Sequence, residues 1–424
     1  MFRRVLLCGL IILAIAGNAM AASNPMILQT GPLVSVVSVI NALGGGTLLD
    51  QVPGTTIYLV DLPNLPIVTP LLESLLGVVF VEPDRTILTP NRGEMGVLSV
   101  GTTTAVDWYK MQPELVRINA ISAQSYSRGK GIVIADLNSL IDYSHPALAG
   151  HLTGGYDFVS ARSGYQATLN QSSATFLDQS SATFLDQSSA TFLDQSSATF
   201  LDQSSATFLD QSQLTTIDAN PAYGHGTLCA GVIAAMAPDS LIMPLRVFDD
   251  SGQTDVFSVT KAIYYAVTHG ARVVNMSFGM SQSYNSIQAA LTKASNAGIV
   301  VVASAGNDNT STPQFPASVS SLISVASVAS TDVKASFSNY GSTVYVDAPG
   351  VNIISAYPGA RYAMVSGTSF SAPMVAAEAA LIMAVKTTSP KSVIGSAVVS
   401  VSTENPSYIG MLGHGRINVL GAVK

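Results

Sequence analysis

Gly367-Thr368-Ser369-Phe370-Ser371-Ala372-Pro373-Met374-Val375-Ala376 places a hydroxyl nucleophile where a tight turn gives way to small apolar residues that read as the opening of a buried helix. A serine there meets free backbone N–H groups and the positive end of the helix dipole, where a developing oxyanion is stabilised. Acyl transfer is the chemistry such a placement favours. Serine is a poor nucleophile until a base takes its proton, and the chain has 5 histidines. His225 lies in Tyr223-Gly224-His225-Gly226-Thr227-Leu228-Cys229-Ala230-Gly231, with glycine on both sides and an apolar helical run continuing to Ala235. His145, His151 and His269 lack such flanks and read as surface or loop residues, and Gly413-His414-Gly415 reads as a turn near the C-terminus.

The base in turn needs a carboxylate that fixes its tautomer and stabilises the imidazolium. Gly131-Ile132-Val133-Ile134-Ala135-Asp136 is a β-branched run that reads as a buried strand ending in Asp136. In chain order the candidates are Asp136, His225 and Ser369. These three boxes resemble those of the subtilisin-like serine peptidases. The first box departs from the family's Asp-Ser/Thr-Gly-Ile/Val-Asp: Asp136-Leu137-Asn138-Ser139-Leu140-Ile141-Asp142 has no glycine and runs two residues longer before Tyr143-Ser144-His145-Pro146. Asp142 is the competing carboxylate; the strand ending at Asp136 favours the latter.

A fourth box, Ile299-Val300-Val301-Val302-Ala303-Ser304-Ala305-Gly306-Asn307-Asp308, is similar to the family's oxyanion segment. The resemblance gives Asn307 the role of side-chain oxyanion donor, a role whose loss lowers turnover about 100- to 1000-fold. It also implies that Ser277, Phe278 and Gly279 pair with an extended substrate backbone, with Gly252 on the opposite edge. Two edges offering main-chain hydrogen bonds bind backbone with limited sequence selection. Phe278 stands where leucine is more usual, and core packing is its competing role. Ala303, Ser304, Ala305 and Gly306, with Phe315-Pro316-Ala317, match walls of a small uncharged specificity pocket, which favours an apolar residue before the scissile bond.

Basic Met1-Phe2-Arg3-Arg4, an apolar core from Val5 to Ala16 and Ala19-Met20-Ala21 read as a signal peptide over 1–21, too short in its core for a membrane helix of about 20 residues. Export to an extracellular or periplasmic space follows, and no membrane association after its removal. Cys229 is then the single cysteine and reads as a small buried hydrophobe. Residues 25–90 mix helix and strand patterns, with a helix-like stretch from Pro32 to Leu43 and strands at Thr56–Leu62 and Gly77–Asp84. The resemblance makes this segment an inhibitor-like propeptide, the chain's own intramolecular partner, released by autocleavage between about Asp84 and Thr104. From 106 to 424, strand patterns at 131–135, 241–247, 272–276, 299–303 and 321–327 alternate with helical ones at 257–269, 285–297 and 371–386. That alternation predicts an α/β fold, a three-layer doubly wound parallel sheet with active residues at the carboxyl ends of its strands.

Net charge is −7 with 11% charged residues, and no basic patch points to nucleic acid. Polypeptides are the implied substrates and a monomer the implied state. Five copies of Ser-Ser-Ala-Thr-Phe-Leu-Asp-Gln fill 172–211, between the candidate acid and base. Eight residues turn a helix by about 80° beyond whole turns, so each Phe-Leu pair spirals away from the last, and in a strand the two point to opposite faces. A flexible or loosely stacked surface insertion is expected, with substrate tethering as the alternative. Catalysis needs no cofactor. Ala234-Ala235-Met236-Ala237-Pro238-Asp239-Ser240 leads straight into the next strand, without the Asn- and Gly-rich calcium loop common in the family. Structural calcium elsewhere stays open. A secreted serine endopeptidase is the leading function. The alternatives are a weakened or inactive peptide-binding relative and a serine-carboxyl peptidase, against which His225 in its full box counts.

Overall fold

The computed structural model describes residues 25–62, 74, 76–88, 95–98, 108–163, 222–399 and 406–424. The proposed signal segment 1–21, the repeats 172–211 and, within the proposed propeptide junction, residues 89–94 and 99–104 lie outside them. The chain divides into two compact units. The first joins Met1–Thr86 with Asp255–Lys261 and Tyr284–Ala289, and the second takes the rest.

In the first unit, four antiparallel strands lie in the order Thr47–Gln51, Ile57–Asp61, Pro25–Thr30, Val78–Pro83. The helix Val36–Ala42 starts at Ser35, whose side chain accepts from the Ser38 N–H. Met26, Leu28, Val39, Ile40, Leu43, Val60, Leu62 and Val78 form its core. The strands at Ile57–Asp61 and Val78–Pro83 match the sequence expectation, the latter on the sheet edge. Those at Pro25–Thr30 and Thr47–Gln51 were not anticipated, because Thr47–Gln51 is exposed throughout and shows no alternation. Carboxylates of this unit also cap two helices whose first turns belong to it. Glu82 accepts from the N–H groups of Asn285 (2.7 Å) and Ser286 (2.8 Å), and Asp84 accepts from Phe257 (3.0 Å).

The second unit is built on an eight-stranded sheet in the order Val346–Pro349, Ile323–Val328, Val300–Ser304, Val273–Met276, Val133–Asn138, Leu241–Arg246, Tyr156–Asp157, Arg162–Ser163. Every neighbouring pair is parallel except the last. Strands buried on both faces read as near-continuous apolar runs, which is why 300–304 and 323–328 were legible without alternation. The chain leaves the central strand Val133–Asn138 first toward Leu241–Arg246 and then to the other side at Val273–Met276, so the order reverses there. Sites form at the carboxyl ends of strands at such a switch point. The central strand runs two residues past the expected end, because its parallel register with Leu241–Arg246 continues through Pro244↔Asp136 to Arg246↔Asn138. The helix Thr368–Val385 packs against the sheet strands, and every side chain from Thr368 to Ile382 is buried.

Candidate active site

His225 opens the helix His225–Met236 from a left-handed Gly224 (φ 75°). A Cβ on Gly226 would lie 2.5 Å from the Ser139 carbonyl oxygen and 2.9 Å from that of Leu140, so only glycine lets this first turn settle onto the loop that leaves the central strand. The close seat puts His225 Nδ1 2.7 Å from Asn138 Oδ1. Ser139 Oγ ties the preceding segment down by donating to the Ala222 carbonyl at 2.6 Å.

Ser369 is the second residue of its helix, after Gly367 and Thr368, and is 2% exposed. Its Oγ donates to the Ser277 carbonyl at 3.2 Å, and Ser277 Oγ returns a bond to the Ser369 carbonyl at 2.8 Å. Asn307 Oδ1 accepts from the Thr368 N–H (2.9 Å) and Thr368 Oγ1 (2.7 Å). With its oxygen so engaged, the amide nitrogen of Asn307 faces the Gly367 turn, 3.6 Å from where a Cβ would stand there. The Phe370 ring lies 5.8 Å from the His225 ring.

The expected link from Asp136 to His225 takes another form. The group on His225 Nδ1 is the Asn138 amide oxygen, and Asp136 lies behind it, each carboxylate oxygen 3.3 Å from Asn138 Nδ2. Asn275 Nδ2 also donates to Asp136, at 2.8 Å. Burial raises the Asp136 pKa to about 6, against the lowering effect of the Asn275 and Asn138 hydrogen bonds. Asp142 serves the loop: it accepts from Ser144 N–H and Oγ (2.9 and 2.6 Å) and from the Gly359 N–H (2.9 Å).

The Subtilase family model matches residues 129–409. Thermitase of Thermoactinomyces vulgaris is 34% identical over 278 residues, 63% of this chain and 80% of that one. The chain belongs to the subtilase family. Subtilisin DY of Bacillus licheniformis is 36% identical over 214 residues, 47% of this chain and 78% of its own. In fold the chain is similar to fervidolysin of Fervidobacterium pennivorans, described as a keratinolytic enzyme related to subtilisin, with a TM-score of 0.68 at 21% identity, covering 96% of this chain and 62% of that one. Membership places the chain among serine-type endopeptidases, which act on polypeptides.

Within the subtilase frame, the surplus of two residues in the first box has a simple origin. Laying the family's five-residue box on Asn138-Ser139-Leu140-Ile141-Asp142 removes the surplus and puts an amide in the carboxylate's place and leucine in the glycine's. That surplus was the signal in the sequence for Asn138, which reading the strand as ending at the charged residue concealed. His145 also departs from expectation. It is fully buried, with Nε2 on the Arg361 carbonyl (2.7 Å) and Nδ1 accepting from the Ala147 N–H (3.1 Å).

Of the residues assigned to substrate binding, Ser277, Phe278 and Gly279 follow the strand Val273–Met276, and Met280 exchanges backbone bonds with Phe315. The Phe278 side chain is 1% exposed and packs edge-on against Phe248 at 5.2 Å, so its side chain is core. Gly252 (φ 79°) turns a loop in which Asp249 Oδ1 accepts from the Ser251 and Gln253 N–H groups. Ala303 and Ser304 end their strand, while Ala305 donates its N–H to Val325 and Gly306 (φ 109°) donates to Thr368 Oγ1. Cys229 is buried with Sγ 3.4 Å from the Ser369 carbonyl, and burial pushes its thiol pKa up, which fits the inert reading.

Proposed function

We propose that the chain is a secreted serine endopeptidase in which Ser369 attacks the scissile carbonyl and His225 receives its proton. The oxyanion is met by the Asn307 amide and the Ser369 N–H. The protonated imidazole then gives its proton to the leaving amine, and water releases the acyl group by the same route in reverse. The single observation that carries this reading is the join at Thr368, where Asn307 Oδ1 accepts twice and so aims its NH2 at the helix start that presents Ser369. Extended substrate lies along Ser277–Gly279 with Gly252 opposite, beside the Ala303–Gly306 wall. Residues 25–90 act as the propeptide and are removed by the same nucleophile. Export by 1–21 delivers a monomer that needs no cofactor for chemistry.

A serine-directed fluorophosphonate tests the reading. The parent is expected to be labelled at Ser369 and to shed its N-terminal segment, and Ser369→Ala to stay unlabelled and full-length in a host lacking other proteases. Labelling elsewhere, or normal maturation of Ser369→Ala, sinks it. The Asn138 amide on His225 favours one second reading, an attenuated peptide-binding subtilase. In that case labelling is slow and peptide affinity persists without turnover.

A further inference from the structure

Asn138 has only one way to turn its amide. Asp136 and Asn138 are two apart on one strand, so their side chains share a face. The Ser139 backbone N–H, which can only donate, meets Asn138 Oδ1 at 2.9 Å. The ionised Asp136 carboxylate, which can only accept, meets Nδ2. Groups with irreversible roles thus fix oxygen and nitrogen at both ends, where an amide flip would otherwise be a free assignment. His225 Nδ1 lies 2.7 Å from the same oxygen and must carry the ring proton, leaving the lone pair on Nε2.

We propose that Asp136 and Asn138 are a two-step positioning relay, in which the carboxylate pins the amide and the amide oxygen holds His225 in the tautomer that serves Ser369. The proposal rests on the reading of His225 as general base and deepens it. In serine peptidases, exchanging the carboxylate for an amide lowers kcat about 10,000-fold, because the amide turns its NH2 to the imidazole and selects the wrong tautomer. Asp136 prevents that turn here. What the amide still lacks is a full negative charge against the imidazolium, and Asp136 supplies one only from one hydrogen bond further away. Asn275 carries the connection on, with Nδ2 to Asp136 (2.8 Å) and to Ser277 Oγ (3.0 Å), which bonds the Ser369 carbonyl.

Two measurements test the relay. In the full chain carrying Ser369→Ala, ring ¹⁵N shifts of His225 at neutral pH are expected to show protonated Nδ1 and bare Nε2. An Nε2–H ring overturns the proposal. On a short peptide, Asn138→Ala is expected to lower kcat about 1,000-fold or more with KM nearly unchanged. Asp136→Asn, which replaces one of two required acceptor oxygens by NH2, is expected to cost at least about tenfold in the parent and no more than about twofold in the Asn138→Ala background. An equal cost in both backgrounds overturns the relay, since Asp136 then acts on His225 without the amide. Asn138→Asp, which puts the charge directly on His225, is expected to raise kcat at least about tenfold; no rise overturns the proposal even where Asp136→Asn fails to fold. The spectrum reads the tautomer without turnover, so a parent that fails to label at Ser369 removes the proposed function and leaves the relay to be judged separately.

Discussion

His145 and His225 carry the same ring in opposite tautomers, because their neighbours leave no choice. At His145, Nδ1 accepts from a backbone N–H and Nε2 donates to the Arg361 carbonyl, and burial holds its pKa below the usual value. That partner is 216 positions away, so no local pattern could announce a buried histidine. His225 was legible because its constraints are local, glycine on each side and an apolar helix after. Asn138 was half legible: the surplus in its box was visible, but its meaning depends on a strand register with residues 241–246. The relay also has a pH signature. Burial places the Asp136 carboxylate near 6, and only the ionised form offers acceptors alone on both oxygens that face Asn138 Nδ2. Turnover is therefore expected to fall as pH drops through about 6 with more than one proton involved, one on the imidazole and one on Asp136. In Asp136→Asn the acid limb should flatten to a single proton; an unchanged limb would assign the second proton elsewhere.

The helix Thr368–Val385 shows what an apolar pattern conceals. Its placement was readable from the run after Ser369, and the structure begins it three residues earlier than expected. At its centre Glu378 is fully buried, with neither carboxylate oxygen hydrogen-bonded among the described residues, and burial raises its pKa to about 8. A carboxyl whose folded pKa lies above its unfolded value of 4.5 favours the fold below that value and loses the contribution as pH rises toward about 8. The linkage amounts to at most on the order of 5 kcal/mol. Glu378→Met fills similar space without the titration. Its melting temperature is expected to exceed the parent's at pH 8 by more than at pH 5; equal differences at both pH values would show that Glu378 does not titrate in the fold.

At the scale of the molecule, the sequence conveyed a doubly wound sheet because its five inner strands, from Ile323–Val328 to Leu241–Arg246, announce themselves by run length and turn residues, whereas the outer strands Val346–Pro349, Tyr156–Asp157 and Arg162–Ser163 do not. It could not convey the capping by Glu82 and Asp84, whose partners on the helices Val256–Thr268 and Asn285–Asn296 are separated from them by 173 to 204 positions. Burial and nearby Asp255 raise the Asp84 pKa to about 7, so the first unit holds best below the ordinary carboxyl value of 3.8 and loses this contribution as pH rises toward 7. Hydrogen exchange over 78–84 is expected to be slower at pH 5 than at pH 8 after correction for intrinsic rates, and Asp84→Asn to remove most of that difference. An Asp84→Asn profile like the parent's would assign the pH dependence to another group. The same caps also impose a schedule. Glu82 emerges 204 residues before Ser286, the N–H it must hold. At about 5 to 20 residues per second, the ribosome needs roughly 10 to 40 s to deliver the second after the first. For that interval the newborn N-terminal segment waits with the Glu82 carboxylate uncommitted, and this cap can close only when the chain is two-thirds made.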